Sequence, residues 1–148
     1  GFALLRDELA ALPVTDGPAD DVLALCDGFR SFAAEHPHLF DVMFSRPFET
    51  FRPTTDDDRV AQDLYASFTA RVGALMQRNE IDDAVVDVTT GLVALLFGVA
   101  SQQRSGLLGS TAESQARRWR TAVRTYIDGC VADTSTSSSA STAGTARR

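Results

Sequence analysis

Apolar positions recur at helical spacing along nearly the whole chain, and no stretch alternates with the period of two that a half-buried strand requires. Over residues 2–12, Phe2, Leu5, Leu9 and Leu12 form a stripe that stops before Pro13. Residues 13–20, PVTDGPAD, are a turn by composition, and Pro18 suits the first turn of a second helix with Asp16 or Gly17 ahead of it. Val22, Leu25, Phe29 and Phe32, backed by Cys26 and Ala33, make one face of that helix. It is expected to end near His36, because Pro37 disfavours helical backbone at the residue before it.

A short apolar burst follows, Leu39, Phe40, Val42, Met43 and Phe44, then a loop punctuated by Pro47 and Pro53. Thr54, Thr55 and the aspartates at 56–58 mark the start of a fourth helix, since negative charge suits a helix N-terminus. Its stripe is Val60, Leu64, Phe68, Val72, Leu75 and Met76. Asp82 or Asp83 can cap a fifth helix running to about Gln103, with Gly106 and Gly109 in the loop beyond. Ser110 and Glu113 fit a capping box for the last helix, whose apolar positions are Ala112, Ala116, Trp119, Val123, Tyr126 and Cys130. The pattern predicts an all-α bundle of about five longer helices plus one short helix over residues 1–131. The Ser/Thr-rich tail, residues 132–148, has no apolar side chain larger than alanine and is expected to be disordered.

The fifth helix has two apolar arcs. At 100° per residue Val86, Thr90, Val93 and Phe97 fall together, and Val88, Leu92, Leu95 and Val99 fall roughly opposite. Two faces require two partners. A six-helix monomer that buries both is one solution; a symmetric four-helix interface, two helices from each of two chains, is the other and the one expected here. The residues assigned to that dimer interface are Leu92, Leu95, Val99, Trp119, Val123 and Tyr126.

Charge narrows the range of partners. All 14 basic residues are arginine and face 20 acidic ones, and residues 134–148 carry Arg147 and Arg148 with no acid, so the rest of the chain has a formal charge of −8. Such a body is a poor polyanion ligand by itself. The longest uncharged run, residues 88–103, is interrupted by threonine, serine and glutamine and falls short of a membrane span, so no membrane partner is expected. Two cysteines, Cys26 and Cys130, do not make a disulfide framework, and a reducing cytoplasm is the expected location. No targeting segment precedes the first stripe, which starts without a cap, so the chain is expected to begin inside a helix.

Candidate chemistry is sparse. His36 and His38 flank Pro37 with Asp41 nearby, but no second cluster of ligating or acid–base residues accompanies them. The aspartates at 56–58 lack the spaced ligands and glycine of a calcium loop, and Cys26 lies on an apolar face. There is no phosphate loop, serine elbow or dinucleotide fingerprint. The chain is expected not to be an enzyme and to need no cofactor or metal; an enzyme built on His36 and Asp41 is the weakest of the readings. Six of the nine phenylalanines, however, fall between Phe29 and Phe51. They either fill a core or line a cavity, and Thr90, Tyr65 and Arg71 are available as its polar groups. The residues assigned to a ligand site are Phe29, Phe32, Met43, Phe68, Val86 and Thr90.

Residues 29–48, FRSFAAEHPHLFDVMFSRPF, resemble the core stretch of the ligand-binding domains of tetracycline-repressor-like transcription regulators. In many of these a helix ends in a segment like F-x-x-E/A-H-P-x-L-Y/F-x-x-M-F, matched here by Phe32, His36, Pro37, Leu39, Phe40, Met43 and Phe44. GFALLRDELAAL at residues 1–12 looks like the helix that links such a domain to its DNA reader, and TTGLVALLFGVA at residues 89–100 resembles the penultimate dimerisation helix. One subgroup carries a Trp-x-x-x-His-Gly pattern there; the corresponding residues here are Val86, Thr90 and Gly91, so the polar contact of that histidine does not carry over. The resemblance implies a homodimer whose pocket converts binding of a small-molecule effector into a changed spacing of two helix-turn-helix heads. DNA would then be contacted only through an N-terminal domain missing from this sequence. The rival expectation is a helical homodimeric interaction module with a solid core and no small-molecule ligand.

Overall fold

The computed structural model describes residues 1–44, 55–81 and 84–141, with side chains as far as Ala132. These residues form α1 (Phe2–Ala10), α2 (Pro18–Glu35), α3 (Pro37–Phe44), α4 (Thr55–Arg78), α5 (Val85–Arg104) and α6 (Ala112–Ser141), and among the described residues there is no strand. The all-α bundle is as expected, although α1 with nine residues is nearly as short as α3 with eight. The helix α6 continues to Ser141, ten residues into the stretch expected to be a tail.

Local signals set most boundaries. Gly17 is the N-cap of α2 and Pro18 its first residue, and the helix ends on His36 against Pro37. The α5 helix stops in a Schellman turn: Gly106, at φ 71, donates its N–H to Gln103 O and Leu107 donates to Gln102 O at 2.9 Å. The cap of α6 lies one residue beyond the expected Ser110/Glu113 pair. The Thr111 N–H donates to Ser114 Oγ and the Ser114 N–H donates to Thr111 Oγ1, so a serine takes the place of the glutamate in a reciprocal box. Ala84 stands at the N-cap of α5 with no side-chain cap, and the expected caps Asp82 and Asp83 lie outside the described residues, as does Thr54.

The core sits where α2, α4 and α5 meet, closed by α1 on one side and α6 on the other. Leu5 and Leu9 of α1 are fully buried against α2 and α4, and Trp119, Val123 and Ile127 of α6 against the opposite side. The turn between α1 and α2 is tied down twice. Asp21, buried, accepts hydrogen bonds from the Thr15 N–H and hydroxyl at 2.9–3.1 Å. Arg71 of α4 donates to the carbonyls of Leu12 and Pro13 at 3.1 and 3.3 Å and approaches that of Asp21 at 3.5 Å. This planar fork of donors holds α1, the turn and α2 on α4 at once, and it removes Arg71 from the groups available to a ligand.

The short α3 is held by two contacts. Phe40 is buried under it, and Arg104 at the end of α5 donates to Pro37 O at 2.9 Å, pairs with Asp41 and lies over the Phe40 ring at 5.7 Å. Asp41 is therefore engaged in a structural ion pair. Nearby, His36 stands 3.5 Å from Glu8 of α1, and His38 is exposed. Among the described residues no three His, Cys, Asp or Glu side chains converge as metal ligands.

Two predictions follow from local geometry. Glu80 closes α4 in the left-handed conformation, φ 53, with Ile81 donating to Met76 O at 3.0 Å. Glycine is free of the Cβ penalty there, so Glu80→Gly should raise stability by about 0.5–1 kcal/mol, read as a higher urea midpoint. Burial, reinforced by the neighbouring Asp27 carboxylate, pushes the Cys26 thiol up to about 12. At pH 8 it is thus protonated as well as covered, and a Cys130→Ala variant should consume no Ellman's reagent until urea is added, then one equivalent.

Candidate functional site

Three features meet around α5: an aromatic cluster, a groove and an uncovered helix face. In the cluster, Phe29 of α2 is the hub. Its ring centroid lies 5.7 Å from Phe40, 6.1 Å from Phe44, 6.4 Å from Phe68 and 5.5 Å from Phe97, mostly edge to face. Phe44 and Phe97 are closer still, 4.1 Å and T-shaped, and Phe2 of α1 reaches Phe44 at 5.4 Å. The pairs of Phe29 and the Phe2–Phe44 pair lie in the preferred range of aromatic separations, and Phe44–Phe97 is tighter than that range. The rings pack on one another, and through Phe2 and Phe44 the cluster touches α1 as well as α3.

The groove runs along the outer side of α4 beside the first turns of α5. It is an open depression of about 800 Å³ lined by Asp58, Ala61, Gln62, Tyr65, Ala66, Thr69, Ala70 and Val86. A second depression of about 400 Å³ shares Thr69 and Ala70 and continues past Gly73 and Gln77 to Ile81 and Val85. Among the groove's polar residues Tyr65 is tied to α5: its hydroxyl donates to Thr90 Oγ1 at 2.7 Å and lies 3.2 Å from Val86 O, and the Thr90 hydroxyl donates to that carbonyl at 2.7 Å. This pairing joins α4 to α5 and fixes the tyrosine as a wall of the groove.

The six residues assigned to a ligand site do not converge. Phe29, Phe32 and Phe68 are buried, with Phe32 at 0% exposure against His36, and Met43 is half-buried beside the cluster. Val86 and Thr90 are exposed, and Val86 lines the groove. Phe97, however, shares their arc on α5, so one side of this helix leads from the groove at its first turn to the cluster three turns on. The alanines and Thr69 on α4 gave no sequence signal, because small residues on a helix read equally well as solvated surface. Phe48 and Phe51 lie outside the described residues.

The interface assignments also divide. Leu92, Trp119 and Val123 are at most 1% exposed within the single chain, so they belong to its own core and offer nothing to a second copy. The seam on α6 is real, but α2 and α5 of the same chain fill it. Leu95, Val99 and Tyr126 are half-buried. The buried residues of α5, Thr89, Leu92, Leu96 and Ala100, point between the two expected arcs and leave Ala94 and Gly98 exposed, with Leu95 half-buried beside them. A Cβ on Gly91 would collide with the Tyr126 hydroxyl, whereas one on Gly98 or on Gly129 of α6 would meet nothing within 4 Å. Tyr126 donates to Val88 O at 2.8 Å, and its phenol is pushed above the usual value, chiefly by burial. Hence α5 and α6 meet at Gly91 and Tyr126. Beyond that contact, small side chains of both helices are open. By length and composition α5 is also apolar enough to cross a membrane, a test that core helices of soluble proteins pass too.

A family model described as "Tetracyclin repressor-like, C-terminal domain" matches residues 22–126, from the second turn of α2 to the Tyr126 contact on α6. No curated protein and no solved structure gives a significant match.

Proposed function

The chain belongs to the tetracycline repressor-like C-terminal domain family, and from that premise we propose that it is the effector-sensing and dimerisation domain of a cytoplasmic transcriptional repressor. Domains of this family generally dimerise and bind effectors. The observation that carries the reading is the incomplete covering of α5, with the groove beside one flank and small residues open on the other.

The homodimer would form on Ala94, Leu95, Gly98 and Val99 of α5 with Ala122, Thr125 and Gly129 of α6. Small residues let four helices approach closely, and this face takes the place of the Leu92, Trp119 and Val123 seam. The effector, an apolar or aromatic small molecule, would lie against Tyr65, Ala66, Ala70 and Val86, with Thr90 holding the tyrosine. From there a change in α4 reaches α1 through Arg71, and a change in α3 reaches it through Phe44 and Phe2. A helix-turn-helix domain ahead of α1, which the family resemblance implies, would be moved out of register with successive major grooves. The ring-on-ring packing of Phe29, Phe40, Phe44 and Phe97 favours a second reading, a dimeric interaction module with a solid core.

Two measurements test this. Gly98→Arg adds a side chain where the single chain has open space and replaces a residue that weakens the helix by about 1 kcal/mol. Light scattering should therefore show a dimer for the parent and a stable monomer for the variant; an unchanged dimer would move the interface elsewhere. Ala66→Trp fills the groove, so it should abolish a ligand-induced rise in Tm in a screen of apolar and aromatic compounds while leaving the dimer intact. If no compound raises the Tm of the parent chain, the solid-core module is the better reading.

A further inference from the structure

We propose that the first two turns of α5, residues 85–91, move as a segment clamped between the chain's two tyrosines, so that a displacement at Tyr65 on α4 is relayed to Tyr126 on α6. The two phenols grip α5 from different sides. Tyr65 donates to Thr90 Oγ1 at 2.7 Å, and Thr90 passes the bond on to the Val86 carbonyl at 2.7 Å. Tyr126 donates to the Val88 carbonyl at 2.8 Å. Positions two residues apart in an α-helix lie about 200° apart around its axis, so the two bonds hold nearly opposite faces. The clamp itself holds whatever the groove takes. Only its use as a signal route, from the groove to α6 without passing through α1, rests on the groove being an effector site.

Local chemistry separates this stretch from the rest of α5. Thr89 donates to the Val85 carbonyl at 2.7 Å, so the carbonyls of Val85, Val86 and Val88 each take a hydroxyl. Such bonds share the carbonyls with the N–H ladder and loosen the helix. Gly91 follows directly, and glycine is the weakest helix former after proline. It is also the residue that fits, because a Cβ there would collide with the Tyr126 hydroxyl. Ala84, at the N-cap, has no side-chain group with which to hold the first turn. Among residues 85–91 only Thr89 is buried, whereas beyond Gly91 the helix is anchored by Leu92, Leu96 and Ala100 in the core and by Arg104 on α3. Hydrogen bonds to two neighbouring helices thus hold the first turns, and apolar packing holds the remainder. The part with less buried apolar contact opens first.

Amide hydrogen exchange of the full chain, followed by mass spectrometry, tests the clamp. Tyr65→Phe and Tyr126→Phe each remove one hydroxyl and keep the ring. Each should speed exchange over residues 85–92 by about fivefold or more and leave residues 96–104 within about twofold of the parent. Because releasing either side frees the same segment, the double variant should exchange no faster than the faster single one. Gly91→Ala should act in the same direction, since its Cβ expels the phenol, although alanine is the better helix former. The relay has its own readout. With ring-labelled tyrosine the chain gives two sets of NMR signals, and Tyr126→Phe should shift those of Tyr65, across α5 from the change. No acceleration in the single variants, acceleration spread evenly through α5, or slower exchange in Gly91→Ala overturns the clamp. Rates that multiply in the double variant, or Tyr65 signals unmoved by Tyr126→Phe, overturn the relay. None of these readouts involves a ligand, so a groove that binds nothing in the thermal-shift screen leaves them unchanged.

Discussion

The covering of α5 is the constraint on which the rest of this domain depends. A helix of 20 residues with apolar side chains on most of its circumference needs neighbours all round, yet only Thr89, Leu92, Leu96 and Ala100 are buried within the chain. The remaining apolar surface divides into two flanks. One, through Val86, Val93 and Phe97, borders the groove and runs into the aromatic cluster. The other, through Ala94, Leu95 and Gly98, lies beyond the Gly91–Tyr126 contact with α6 and, Leu95 apart, carries only small side chains. At about 25 cal/mol per Å² of apolar area, leaving both flanks in water forgoes several kcal/mol. The two flanks thus border different surroundings, the groove and aromatic cluster for one and α6 for the other.

Between those sides the chain has few independent parts. α3 is fixed by the Phe40 ring and the Arg104 fork, both of which also engage α5, so α3 and the end of α5 are positioned together. α1 is fixed to α4 by Leu5 and Leu9 and, through the turn, by Arg71. Phe2 then closes the circuit to Phe44 on α3. A displacement at the groove or in the cluster therefore has two routes to α1, one through hydrogen bonds to the Leu12 and Pro13 carbonyls and one through aromatic contact. Because packed interiors repack between discrete arrangements more readily than they deform, such a circuit suits a two-state response.

Much of this was legible beforehand. Six helices, their order and the ends set by Pro18, Pro37 and Gly106 follow from periodicity and backbone preference. The two arcs of α5 were also visible, but their use was not. Periodicity places residues on a helix without saying which neighbour covers them. The buried line through Thr89 and Leu96 fell between the arcs for that reason, and Trp119 and Val123, a true packing seam, turned out to be packed within the chain. The α6 cap slipped by one residue because Ser110, Thr111, Glu113 and Ser114 offer two overlapping boxes of similar chemistry. Aromatic spacing could not distinguish filled core from cavity, since rings around a ligand and rings around each other recur at the same intervals. Of the groove, Tyr65 and Val86 stood out in the sequence, whereas its three alanines and Thr69 left no trace in the pattern.

Arginine without lysine acquires a structural meaning in this setting. Arg71, Arg104 and Arg118 direct their guanidinium groups at backbone carbonyls of Leu12, Pro13, Pro37 and Leu108, and Arg30 donates to Gln103. A planar fork reaches two acceptors at a helix end where an ammonium would act as a point charge. These guanidinium groups keep their charge while bonding carbonyls, as Arg104 shows by also pairing with Asp41, and the aspartates at the start of α4 are exposed. The acidic balance remains an excess of 20 acids over 14 arginines. Four of the 14 arginines thus act at joints between helices, while others such as Arg117, Arg120 and Arg124 stay exposed along α6. What the acids in excess set is the net sign of the whole body, a negative field that disfavours phosphate backbones, while the individual arginines decide how its helices are joined.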